Sequence, residues 1–380
     1  MSWLLECSAC ATHLPGDQLS GVCPGCGQPL LVRYPDRRPA RRELAPRWDM
    51  WRYASLLPLR DAEAPTTLGE GATPLIESPA LARELGVARL WVKDEATNPT
   101  GSFKARGMSA AVTRARALAV SGLVVPTAGN AGIALAAYGA AAGLPVRVFA
   151  PQTTPRPILS SIEAFGATLT TVEGHIGDAG RAARAFAVES GFFDVSTLRE
   201  PYRIEGKKTL GLELAEQLDW VLPNVLVYPT GGGTGLIGMW KAFAELRSLG
   251  WLAEGQALPR LVTAQAEGCA PIVRAFTEGA DHATPWESPT THAAGLRVPS
   301  PLGDRLMLRA LRESKGAVGT ASEAAIRDAT RALATATGID ASPEGGCALA
   351  VTQSLVRSGG ISKSSTVVIF NTGSGASYRE

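Results

Sequence analysis

The sequence of 380 residues lacks a charge bias: 37 lysines and arginines stand against 35 aspartates and glutamates, for a net charge of +2. Such a balance gives a polyanion nothing to follow, so neither a nucleic acid nor an anionic membrane is expected as a partner. It also lacks a long run of leucine and isoleucine. The uncharged stretch from Ala128 to Val146 is long enough to span a bilayer, but it is built of Ala and Gly, with Gly143 and Pro145 interrupting its end. It reads as a buried helix. No basic segment precedes an apolar one at the N-terminus, so no secretory signal is read and the cytoplasm is the expected compartment. The four histidines, His13, His175, His282 and His292, show no ligand spacing and none is taken as catalytic. There is no internal repeat and no low-complexity tract.

Cysteine is scarce but not scattered. Four of the six form Cys7-x-x-Cys10 and Cys23-x-x-Cys26, with twelve residues between the pairs. Each pair can present two thiolates from one turn, and two such turns complete the tetrahedral sulfur set that zinc prefers. Residues 1–33 are therefore read as a zinc ribbon, with Cys7, Cys10, Cys23 and Cys26 as ligands of a structural Zn(2+). Cys269 and Cys347 are isolated and are expected in the core.

Residues 34–64 are rich in Pro, Arg and Trp and read as a linker packed on the main body. Beyond them, apolar strand-like runs alternate with helical patterns. Strands are predicted at Arg89–Lys93, Leu123–Pro126, Val146–Ala150, Ala167–Val172, Asn224–Tyr228, Arg260–Ala264 and Thr366–Phe370. This alternation predicts crossover units, hence an α/β fold with parallel-rich sheets. Residues 96–200 read as a small inserted α/β domain. Residues 34–95 and 201–380 would supply the linker and the two parts of a larger one.

Three turns follow predicted strands, where open α/β sheets hold their ligands. One is "NPTGSFKARG", with Lys104 among glycine, serine and proline. The second is "PTAGNAG", from Pro126 to Gly132. The third is "PTGGGTG", from Pro229 to Gly235, where successive glycines enter a helix. Converging backbone N–H groups and a helix N-terminus suit a phosphate there. Gly233 to Gly238 also satisfies GxGxxG, but the next strand offers no acidic residue before Glu267 for a ribose, so a dinucleotide is disfavoured. A phosphate cradle together with a lysine amine suits pyridoxal 5'-phosphate.

With "YRIEGKKTLGLELAEQL" and the C-terminal "NTGSG", these motifs make the chain resemble the fold-type II pyridoxal-phosphate enzymes, and within them the threonine synthases, some of which carry an N-terminal zinc ribbon. The resemblance implies a two-domain lyase acting on an amino acid, in which Lys104 holds the cofactor and moves protons. It implies that Asn130 meets the ring hydroxyl, that Gly231, Gly232, Gly233, Thr234 and Gly235 hold the cofactor phosphate, and that Thr372 faces the pyridine nitrogen. Thr127, Ala128, Gly129 and Asn130 would hold the amino-acid substrate's carboxylate, and Arg203 its phosphate. A homodimer is implied as well. The implied reaction is conversion of O-phosphohomoserine and water to L-threonine and phosphate. Ala128 and Ala131 stand where such enzymes usually carry hydroxyls, and Leu198 and Glu200 replace polar residues. A related β-eliminating or β-replacing enzyme such as a serine/threonine ammonia-lyase therefore stays open as the alternative.

Overall fold

The computed structural model describes residues 2–379. Three short antiparallel strands open the chain, β1 (Leu4–Cys7), β2 (His13–Pro15) and β3 (Leu30–Arg33), in the order β2-β1-β3. β4 (Leu75–Glu77) and β5 (Arg89–Asp94) start a larger sheet. The chain then leaves it for β6 (Leu123–Pro126), β7 (Val146–Pro151), β8 (Thr168–Val172) and β9 (Phe193–Asp194). It returns with β10 (Val225–Pro229), β11 (Arg260–Ala266), β12 (Ala317–Ala321) and β13 (Thr366–Asn371).

The larger sheet runs β12-β11-β10-β13-β5-β4, and the smaller runs β8-β7-β6-β9. Every pairing in the two is parallel except β4 with β5. The fold is thus the α/β, parallel-rich class that the sequence predicts. The central strands are covered on both faces, which is why β10 and β13 read as unbroken apolar runs rather than alternating ones. All seven predicted strands are present within two residues at each end. The uncharged stretch from Ala128 contains the helix Asn130–Ala142, buried from Gly132 to Gly139, and no helix among the described residues is long and apolar enough to cross a membrane.

The N-terminal strands are not a loose appendage. Trp3, Leu5, Cys7, Cys23, Leu30 and Val32 join the hydrophobic core that also contains Met108, Val112 and Tyr138. The Trp3 ring lies under the Arg114 guanidinium at 4.7 Å. Residues 34–64 pack just as closely: Tyr34 donates to Glu205 at 2.5 Å, Arg52 pairs with Glu216 at 2.7 Å, and the Trp51 indole donates to Ser109 at 2.9 Å. Cys269 and Cys347 are both buried.

Candidate functional site

The three turns that the sequence marks all sit beyond carboxyl ends of parallel strands. β5 and β10 each pair with β13, so the segments that follow these three strands emerge side by side. The first carries Lys104 at the start of the helix Lys104–Ala117, the second is the glycine loop, and the third is Thr372. The lysine turn and the Thr372 turn are stitched together. Phe103 N–H donates to Thr372 O at 3.1 Å, Ser374 N–H donates to Gly101 O at 2.9 Å, and Ser102 bridges Gly373. The β6 turn of the smaller sheet meets the same place: a Cβ added to Gly373 would lie 3.3 Å from the Asn130 amide nitrogen.

Lys104 is only partly exposed, and no ion pair or side-chain hydrogen bond involves its amine among the described residues. Its nitrogen stands 4.2 Å from the Phe103 ring centroid. Desolvation pulls it down to about 7, with the Arg203 guanidinium adding to the effect and Glu344 opposing it. A lysine in that range supplies a neutral amine near neutral pH. Asn130 begins the helix Asn130–Ala142, and its side chain caps nothing: Oδ1 is buried without a partner. Capping, the ordinary use of an asparagine at a helix start, is not what the geometry provides. An orphaned buried acceptor costs about 1–3 kcal/mol unless a ligand donor meets it.

Inside the loop before it, the Thr127 hydroxyl accepts from Gly129 N–H at 3.0 Å and Gly132 N–H at 3.2 Å, and donates to Gly129 O at 2.8 Å. Thr127 therefore shapes the turn from within. The amides of Asn130 and Ala131 are the ones that a helix start leaves without an intrahelical acceptor, and the space beside Gly129 is open.

The glycine loop is tight for reasons of its own. Gly233 has φ of +78° as it caps the helix Thr234–Ser248, and a Cβ there would strike the Met307 thioether. A Cβ at Gly231 would strike the Gly295 carbonyl, and one at Gly232 would come within 2.9 Å of the Thr197 methyl. One at Gly235 would strike the Tyr228 hydroxyl. Gly238, the last glycine of the GxGxxG match, lies against the backbone of Lys207 and Lys208 at 2.8 Å. That glycine serves helix packing, so the match needs no dinucleotide.

Arg203 is buried in the helix Tyr202–Gln217. It gives one N–H to Val195 O at 2.7 Å and keeps a buried Nε without a partner. Glu200 turns its carboxylate to the amides of Tyr202, at 2.7 Å, and Arg203, at 3.1 Å; burial, partly offset by Arg203, pushes it up to about 7. Leu198 holds a left-handed backbone, φ +63°, and buries its side chain beside Gly303.

Sequence reasoning missed several neighbours. Glu344 accepts from Gly295 N–H at 2.8 Å and from the Tyr378 hydroxyl, and it faces Lys104 electrostatically. Thr197 touches the glycine loop, and Lys207 lies beneath Phe103. Only the "EGKK" run hinted at the last. A cavity of about 320 Å³, lined by Tyr34, Arg37, Leu56, Trp240 and Lys241 among others, lies elsewhere, and none of the sequence-predicted residues borders it.

The four N-terminal sulfurs converge. All Sγ atoms lie within 4.8 Å of one another, with Cys7 and Cys26 at 3.4 Å and Cys10 and Cys23 at 3.6 Å. Four thiolates about 2.3 Å from one ion would sit at roughly such spacings.

Comparison with known proteins identifies the family. A family model described as pyridoxal-phosphate dependent enzyme matches residues 66–373. The threonine synthase of Methanosarcina acetivorans is 35% identical over 97% of this chain and 91% of its own length. That of Methanocaldococcus jannaschii is 32% identical over 98% and 92%. Among solved structures, a threonine deaminase from T.th. superposes with a TM-score of 0.66 at 28% identity, covering 81% of this chain and 93% of that one. A maize serine racemase, at 22% identity and a TM-score of 0.69 over 80% and 88%, shares the fold.

Proposed function

The chain belongs to the pyridoxal-phosphate dependent enzyme family, and from that premise we propose that it is a threonine synthase, converting O-phosphohomoserine and water to L-threonine and phosphate. The observation that carries this reading is identity over most of the chain: the two archaeal threonine synthases are 35% and 32% identical over 97% and 98% of it, whereas the deaminase and the racemase are 28% and 22% identical over 81% and 80%.

The residues present fit the cofactor. A buried acceptor without a donor at Asn130, an amine near neutrality at Lys104 and a helix start behind a glycine loop each answer one part of pyridoxal phosphate. When bound, that group supplies an aldehyde for an amine and a ring that withdraws electrons from substrate carbons. Lys104 would hold it and, with a pKa near 7, both take and return a proton at the substrate carbons. Asn130 would orient the ring through its hydroxyl. Gly231 to Gly235 would hold the cofactor phosphate, and the Thr372 hydroxyl would face the ring nitrogen. The turn from Thr127 to Asn130, Ala128 included, would hold the substrate carboxylate with the first-turn amides. Arg203, which no carboxylate pairs with among the described residues, would meet the substrate phosphate.

We read Cys7, Cys10, Cys23 and Cys26 as ligands of one structural zinc ion; four thiolates close the tetrahedron and leave no position for catalysis. A ribbon at 1–33, a linker and the first part of the large domain at 34–95, an inserted domain at 96–200, the rest of the large domain at 201–380 and a homodimer in the cytoplasm complete the proposal. The deciding assay offers O-phosphohomoserine, L-threonine and L-serine separately. Phosphate and threonine should appear together from the first. Oxo acid from serine or threonine, with no phosphate release, would replace the reading with an ammonia-lyase.

A further inference from the structure

Lys93, Lys207, Lys208 and Lys241 are buried lysines outside the reacting position, and three of them are ion-paired. Lys93 meets Glu213 at 2.5 Å, Lys208 meets Glu205 at 2.7 Å, and Lys241 meets Glu205 at 2.9 Å. Lys207 is as deeply buried and meets no carboxylate among the described residues. Its amine donates to the Phe103 carbonyl. Its nitrogen is 4.2 Å from the Phe103 ring centroid, the same distance as the Lys104 nitrogen, so the two amines are at most twice that far apart.

We propose that Lys207 is a positioning residue for the reaction at Lys104: by holding the Phe103 carbonyl, it fixes the direction in which Lys104 leaves the first turn of its helix. The Phe103 carbonyl and the Lys104 N–H belong to one planar peptide unit, so fixing the oxygen fixes the plane from which Lys104 departs. The preceding unit is held too, since Phe103 N–H donates to Thr372 O. Both peptide planes around Phe103 are thus clamped to the site.

The clamp has a built channel. A Cβ at Gly107 would lie 3.0 Å from Lys207 Cε and 3.1 Å from its nitrogen, and a Cβ at Gly206 would strike the Arg106 carbonyl. Two glycines let the helices approach and leave room for the lysine stem. Lys207 faces Lys104 and Arg106 from one helix and Arg203 from its own, with Glu95 opposing them. Burial and these cations push its amine well below the ordinary lysine range. A neutral amine still donates one hydrogen bond, and that bond is what lysine offers here over an apolar residue of similar length.

The inference rests on Lys104 carrying the cofactor, which borohydride reduction and peptide mapping of the wild-type holoenzyme test separately. Lys207→Met and Lys207→Gln holoenzymes are then compared by melting temperature, by visible circular dichroism of the bound cofactor, and by kcat and KM for O-phosphohomoserine. Methionine should weaken the dichroic band and lower kcat about ten- to a hundredfold, as misplacement does, with KM within about twofold. Glutamine, which can still donate, should restore most of both. Gly107→Ala, which pushes the Lys207 amine aside without altering it, should weaken the band likewise and keeps the test open if the methionine variant fails to fold. An unchanged band and kcat in a folded Lys207→Met protein would overturn the proposal. So would a loss confined to KM, which would make Lys207 a phosphate contact.

Discussion

Two groups of buried charge begin two residues apart on one helix and are built on opposite principles. Arg106 is matched. It donates to Glu95 at 2.7 and 2.8 Å and to Glu213 at 2.9 and 3.1 Å, while Lys93 meets the same Glu213 and Thr73 bonds both acids. Two bases face two acids, and the bonds join the lysine helix, the helix Tyr202–Gln217 and β5. Lys104, Lys207 and Arg203 are unmatched. All three are pulled below their ordinary range, by burial first, and the nearby acids are occupied elsewhere: Glu200 on backbone amides, Glu344 on Gly295 and Tyr378. Matched charge fixes the frame. Unmatched basic groups mark the place for anions to arrive, which is what a phosphorylated cofactor and a phosphorylated substrate provide.

On the proposed assignment, removing the Lys104 amine is the severest break on the unmatched side. Lys104→Ala should lose turnover by about a thousandfold or more, as loss of a covalent participant does. Its purified protein should lack the cofactor's lysine-bound absorbance. Borohydride reduction of the wild type followed by peptide mapping checks the assignment, and a pyridoxyl group on Lys207 instead would move the role there.

On the matched side, Glu213→Gln leaves Arg106 and Lys93 facing one carboxylate and should cost about 3–5 kcal/mol in urea unfolding. Acid should act the same way on the wild type. Glu205, paired with Lys208 and Lys241, is held down at about 2 against an ordinary 4.5, and Glu213 is held well below its ordinary value by Arg106 and Lys93. A depressed carboxylate stabilises the fold above its unfolded pKa and loses that contribution as pH falls through the folded one. Urea midpoints should therefore drop between about pH 4.5 and 2, and less steeply in Glu213→Gln.

The difference between the two groups also explains what was legible beforehand. The turns that carry Lys104, the glycine loop and Thr372 were readable as strand-end turns because turn chemistry is local: glycines and a lysine at fixed offsets after apolar runs. The four cysteines were readable for the same reason, and their sulfurs converge. β4, β9 and β12 were not, since three residues of LIE, two of FD and the mild AVGTA carry little period and exist because neighbouring strands recruit them. Glu344 and Lys207 were invisible as neighbours of Lys104, because only the packing of distant helices brings them there. Nor could sequence tell that Leu198 would turn into the core, or that Glu200 would be spent on helix amides.

Removing the proposed zinc probes a smaller contribution. The N-terminal segment shares a core with the lysine helix through Trp3 and Arg114, and Arg309 donates to Ser8 O at 3.1 Å. A chelator should make residues 1–33 sensitive to protease and lower the melting temperature, while the cofactor's absorbance and pH response stay in place. Loss of chemistry with fold and cofactor intact would give the metal a catalytic part.

The mildest test reverses the sign. An uncompensated, partly buried lysine burdens the cofactor-free fold, so Lys104→Met should stabilise the apoprotein where Glu213→Gln destabilises it. The amine titrates near 7 in the fold against an ordinary 10.5, so between those values the unfolded chain binds a proton that the folded one does not. Stability of the wild-type apoprotein should therefore rise with pH across that window, and below it the burden is complete. Because the side chain is partly exposed, solvent screens the effect, and the gain at about pH 6.5 should be of order 1 kcal/mol. Urea midpoints of the two apoproteins should differ most just below the folded pKa and converge as the pH approaches the unfolded one. A methionine variant less stable than wild type at every pH would mean that Lys104 is compensated after all, and the contrast between the two groups would fail.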